Sequence, residues 1–131
     1  MRNLKIPISL GELIDKITIL RIKFNKINSV EAQKNISLEL KKLQQVLNNT
    51  IVINNDLQNF EIKLSKINKS LWVIEDKLRE KEKEKNFDKK FISLARLVYH
   101  KNDERAKIKR MINKSFGSEL IEEKSYTQYS L

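Results

Sequence analysis

Apolar residues recur along most of this chain at alternating steps of three and four, the spacing of one helix face. The first residues differ. Leu4, Ile6 and Ile8 alternate with polar neighbours around Pro7, which predicts an extended lead-in over residues 1–8. Ser9 and Glu12 then form S-x-x-E, a capping box that satisfies the unpaired N–H groups of a helix start. The first helix runs to about Asn28, with Leu13, Ile17, Leu20, Phe24 and Ile27 as a coiled-coil-like seam. Ile19 and Ile22 lie off that seam, so a second buried face is expected. Ser29 caps a second helix reaching about Asn49, with Ile36, Leu40, Leu43 and Leu47 inward. Residues 50–55, TIVINN, read as a connector or a brief strand. A third helix, from about Asp56 to Lys83, keeps Leu57, Phe60, Leu64, Ile67, Leu71, Ile74 and Leu78 on one stripe. After KEKEKNFD, Asp88 caps a fourth helix that ends at Phe116, before Gly117. The predicted fold class is all-α: an antiparallel bundle of about four helices, built as two helical hairpins, with the third and fourth helices long.

At 131 residues the chain fits one domain spanning 1–131, with an acidic C-terminal tail over 117–131. The lack of cysteine excludes disulfides and thiolate metal sites, and a single histidine, His100, argues against a histidine metal site. No apolar stretch is long enough for a signal peptide or a membrane span, so the expected location is cytoplasmic. The net charge of +10 suggests nucleic acid as a partner, through Arg96, Lys107, Arg110 and Lys114 of the fourth helix, with an affinity that falls steeply with salt. Two observations count against it. Lysine, asparagine and isoleucine, all encoded by A/T-rich codons, are abundant together, so much of the basicity follows base composition. Moreover, residues 88–116 carry +6 while the tail carries −2, so the tail can neutralise the fourth helix.

The chemistry concentrates where charge breaks the apolar pattern. On a wheel of 100° per residue, Arg105 falls at the centre of the stripe formed by Phe91, Leu94, Val98, Ile108 and Ile112, with Asn102 and Lys109 on its shoulder. Burying an unpaired cation is costly, so Arg105 is either paired inside the bundle or lines an opening. The simpler reading is a structural salt bridge. A hairpin turning near residues 83–87 would put Glu61 near Lys109 and Asn68 near Asn102. Trp72, Glu75 and Arg79 follow one another on the shoulder of the third helix, with Glu75 and Arg79 as an i,i+4 pair. Asp76 points further round, towards Arg21 or Lys16 of the first helix if that face is buried. In this register Glu75 and Arg105 are about eleven residues apart along the fourth helix, on the order of 16 Å, so only the first helix or a second subunit can bridge them. Glu12 and Asp15 form E-x-x-D and are candidate Mg²⁺ ligands together with Glu75 or Asp76. That spacing loosely resembles the all-α nucleotide pyrophosphohydrolases, whose paired glutamates and second E-x-x-D are missing here.

The segments GELIDKITIL, LWVIEDKLR, FISLARLVYHKNDERAKIKRMIN and GSELIEEKSY resemble, across nearly the whole chain, a bacterial family of small all-helical proteins catalogued only as a domain of unknown function. A sister family shares L-W-x-x-E-D-x-x-R followed by N-x-x-R-x-x-x-I-x-x-I. The resemblance marks Glu12, Asp15, Trp72, Glu75, Asp76, Arg79, Asn102, Arg105 and Lys109. It implies no reaction, only an association with genes for surface-glycan synthesis. Three functions follow in order. The first is a small helical binding or accessory protein, acting as a homodimer or on a protein partner, whose interior cluster fixes register or holds a small anion. The second is a helical-bundle enzyme, as faintly suggested by helical chorismate mutases, with Arg21, Arg105 and Lys109 clamping a carboxylate or phosphate and Glu75 or Asp76 in acid–base work. The third is nucleic-acid binding. No cofactor is expected.

Overall fold

The computed structural model describes residues 2–131. Four helices carry the chain: α1 (Leu10–Lys26), α2 (Val30–Thr50), α3 (Asn55–Lys83) and α4 (Lys89–Ser115). The fold is all-α, and α3 and α4 are the longest helices. No strand occurs among the described residues, and the TIVINN segment shrinks to a four-residue connector between α2 and α3.

Each helix starts on a side chain that accepts a backbone N–H: Ser9 from Glu12, Ser29 from Ala32, Asn54 from Leu57, and Asp88 from Phe91. At Ser9 only half of the predicted capping box forms, because the Glu12 side chain turns to Lys109 and Lys16 instead. The ends of α3 and α4 close in the same way. Asn86 N–H donates to Lys81 C=O at 2.9 Å and Ser118 N–H to Asn113 C=O at 2.7 Å, the wrap that needs a left-handed residue between. Gly117 fills that place after α4 at φ 66°, whereas after α3 it falls to Lys85 at φ 56°.

Helices α3 and α4 form one antiparallel hairpin, and α1 packs against α2, α3 and α4 alike. Their shared core joins Leu13, Ile14 and Ile17 of α1 to Leu47, Leu57, Leu64 and Ile112. The second face expected for α1 is therefore covered within the chain; Ile22 is buried on it. Only the end of the predicted seam departs, since Phe24 in the last turn of α1 is exposed.

The first turn of α1 comes very close to α4. A Cβ on Gly11 would lie 2.5 Å from the Lys109 carbonyl oxygen, so only glycine fits. In that approach Gly11 N–H donates to Asn113 Oδ1 at 2.7 Å, which satisfies one of the free amides of the helix start. This contact sets α1 against the stretch of α4 that carries Arg105 and Lys109. No helix among the described residues is long and apolar enough to cross a membrane.

Candidate functional site

A buried carboxylate holds the interior of the bundle together. Asp15, fully buried on α1, accepts from Arg105 Nε at 2.9 and 3.1 Å to its two oxygens, and also from Arg105 Nη2. Its Oδ1 accepts a further bond from Asn68 Nδ2 at 2.9 Å. The same Asn68 nitrogen donates to Thr18 Oγ1 at 2.9 Å, and Thr18 in turn donates to the Asp15 carbonyl at 2.8 Å. One network thus ties α1, α3 and α4. Hydrogen bonding to Asp15 raises the Arg105 pKa against the opposing effect of burial.

One turn along α4, Lys109 is buried between two carboxylates. Its Nζ lies 2.6 Å from Glu12 and 3.0 Å from Glu122 of the C-terminal tail. Burial pulls the Lys109 pKa down, but its hydrogen bonds to Glu12 and Glu122 outweigh this, and the net shift is upward. The bond to Lys109 lowers the pKa of Glu122 in return. The tail, without regular structure beyond Ser118, continues back along α4. Glu123 meets Arg110 at 3.0 Å, and the Tyr129 hydroxyl donates to Asp103 at 2.7 Å. That bond pushes the Tyr129 pKa up to about 12.

Two recesses open beside these pairs, and Asn102 and Arg105 line both. The first, of about 290 Å³, is charged and adds Glu12, Lys109, Glu122 and Lys124. The second, of about 260 Å³, adds Asn68, Trp72 and Glu75 over apolar surface from Ile19 and Leu71.

Several sequence expectations can now be placed. Arg105 is paired inside the bundle with Asp15 of α1, which also takes Asn68 of α3, whereas none of the side-chain bonds of Asp15 reaches Trp72, Glu75 or Arg79. Because α1 lies against the hairpin and the Arg105 side chain is long, Glu75, Trp72 and Arg105 share a recess that a bare α3–α4 hairpin would not make. Asn68 and Asn102 line the same recess, as the register requires. Glu61 does not reach Lys109. It pairs with Arg21, which also donates to Gln44 at 2.8 Å, so Arg21 stands outside the interior cluster. Here α1 supplies the nearer cation for α3 and the nearer anion for α4. Glu75 and Arg79 form the expected i,i+4 pair at 2.6 Å. Asp76 is exposed, away from Arg21 and Lys16. With Asp15 on Arg105 and Glu12 on Lys109, the proposed Mg²⁺ ligands face cations. No group of three or more His, Asp or Glu side chains among the described residues is spaced to hold a metal ion. Sequence reasoning missed Thr18, Asn113 and Glu122. Thr18 and Asn113 are polar positions on buried helix faces, and Glu122 belongs to the tail whose acidity opposes α4.

The family model for the Family of unknown function (DUF6165) matches residues 4–130. No curated protein and no solved structure matches the chain.

Proposed function

The chain belongs to the Family of unknown function (DUF6165), and from its interior charges we propose that it works by binding, seating a small carboxylate or phosphate on Lys109. The observation that carries this reading is Glu122. A lysine that is only 7% exposed takes one carboxylate from its own bundle and the other from a segment without regular structure. A buried ammonium needs a partner, and charge-assisted bonds to it are strong. A soluble anion can supply that bond in place of Glu122, reaching Lys124 in the same recess. Catalysis is the weaker reading, because the acid–base candidates do not flank Lys109: Glu75 holds Arg79 and Asp76 stands in solvent. A cytoplasmic homodimer remains part of the proposal. Its support is α2, where Leu38 and Val46 are exposed.

Calorimetric titration with inorganic phosphate and with acetate tests the anion seat. Glu122→Gln removes the competing charge and should bind phosphate several-fold more tightly than the wild-type chain. Lys109→Met should abolish that binding in a variant whose helical circular dichroism is retained. Absence of phosphate binding in Glu122→Gln would overturn the reading.

A further inference from the structure

The second recess differs in character from the seat on Lys109. Its two ionic members are already matched, Arg105 by Asp15 and Glu75 by Arg79. An ion entering it meets no unbalanced charge. What it offers instead is a set of hydrogen-bonding positions next to an aromatic ring.

Asn68 supplies the firmest of these. The residue is 6% exposed, and its Nδ2 is spent on Asp15 and Thr18. Its Oδ1 takes no bond from the protein, yet no side-chain polar atom sealed from solvent lacks a partner among the described residues. The Oδ1 is therefore reachable, and Asn68 lines this recess. An acceptor that the protein leaves open beside a recess is free to take a hydrogen bond from a ligand. Arg105 offers the complement. Its Nε and Nη2 are engaged on Asp15, whereas Nη1 has only a long contact of 3.4 Å with Asn102 Oδ1. That leaves Arg105 Nη1 and Asn102 Nδ2 as donors, and Glu75 Oε1 as a second acceptor, because Arg79 is bound through Oε2.

Donors and acceptors thus stand together in one neutral recess. A hydroxyl group both donates and accepts, so adjacent hydroxyls match such a lining better than a carboxylate, a phosphate or an amine does. Trp72, Leu71 and Ile19 add apolar surface able to cover the C–H face of a ring, the usual composition of a small-ligand pocket. We infer that this recess binds an uncharged, hydroxylated six-membered ring of the carbohydrate class, held by Asn68, Asn102, Arg105 and Glu75 against Trp72. This goes beyond the anion seat and stands without it, since neither Lys109 nor Glu122 takes part.

Trp72 is the only tryptophan in the chain, so intrinsic fluorescence reports on this recess. The full-length protein should be titrated with glucose, galactose, mannose, rhamnose and N-acetylglucosamine, with inorganic phosphate as the charged control. At least one sugar should shift the emission saturably in the millimolar range or below, and phosphate should not. Asn102→Ala and Glu75→Ala should each weaken that sugar at least ten-fold with helical content unchanged, and Asp76→Ala, at an exposed carboxylate outside the recess, should leave it within two-fold. Flat titrations with all five sugars, an equal response in both alanine variants, or a response to phosphate alone would each overturn the inference. Because the phosphate test on Glu122→Gln uses a different ligand and a different residue, either reading can fail while the other stands.

Discussion

Asp15 has no spare capacity: Arg105 and Asn68 occupy both of its oxygens inside the bundle. Removing one partner of a buried pair strands the other, at about 3–5 kcal/mol. The Arg105 side chain keeps 27% exposure and can partly rehydrate, so Asp15→Ala should cost about 3 kcal/mol by urea denaturation. Asp76→Ala, at an exposed carboxylate with no ion-pair partner within the bundle, should stay within about 0.5 kcal/mol. An equal loss from both would show that the interior network contributes nothing. The sequence made one end of this pair legible and hid the other. Arg105 interrupts an apolar stripe, and periodicity exposes such an interruption at once. Spacing groups Asp15 with Glu12 and makes the two candidate Mg²⁺ ligands, although Asp15, Thr18 and Ile22 follow steps of three and four down one buried face of α1. Spacing says which residues share a face, but not which helix covers it.

At the level of elements, the caps and boundaries were legible because each rests on a local bond: Ser9, Ser29 and Asp88 do what their positions imply. The pairing of Glu61 with Arg21 was not legible, since it depends on where α1 lies across the hairpin. One close contact fixes that placement, and one backbone conformation shapes the turn that precedes α4. Gly11 allows α1 to touch α4, and a methyl group there would press on the Lys109 carbonyl, which is backbone and cannot swing aside. Gly11→Ala should therefore destabilise by about 1–3 kcal/mol, the usual range for overpacking, and weaken the Asp15–Arg105 bond by moving α1 outward. A melting temperature equal to wild type would contradict that close approach. Lys85 presents the opposite case. Its φ of 56° lies in the left-handed region, where a side chain costs roughly 1–2 kcal/mol and glycine costs little. Lys85→Gly should stabilise the chain by up to about 1 kcal/mol, after the greater freedom of glycine in the unfolded state is subtracted, and the gain should appear in the denaturant midpoint with an unchanged slope.

Over the whole molecule, the excess positive charge is concentrated on α4, and the acidic tail answers it there: Glu122 lies on Lys109, Glu123 on Arg110, and Tyr129 on Asp103. The pH range of this docking follows from the shifted groups. Glu122 has its pKa lowered in the folded chain, so its contribution is present above its ordinary 4.5 and is lost as pH falls through the lower folded value. Lys109 has its pKa raised, so its contribution is complete below its ordinary 10.5 and is lost as pH rises through the higher folded value. Tyr129, titrating at about 12, stays protonated and keeps its bond to Asp103 between those limits. The tail should therefore remain on α4 from about pH 5 to pH 10 and release as pH falls below the ordinary carboxylate range, which amide chemical shifts of residues 122–129 would report as one acid transition. The Glu122 side chain is 46% exposed, so salt should screen its bond to Lys109, and near 1 M sodium chloride at pH 7 the tail signals should move towards their acid positions. The Asp15–Arg105 pair, whose carboxylate is fully buried, should not respond to salt, and the amides of Asp15 and Asn68 should hold their shifts as salt is raised. Tail and interior signals moving together at high salt would mean that the tail is part of the folded core rather than a carboxylate strap laid over it.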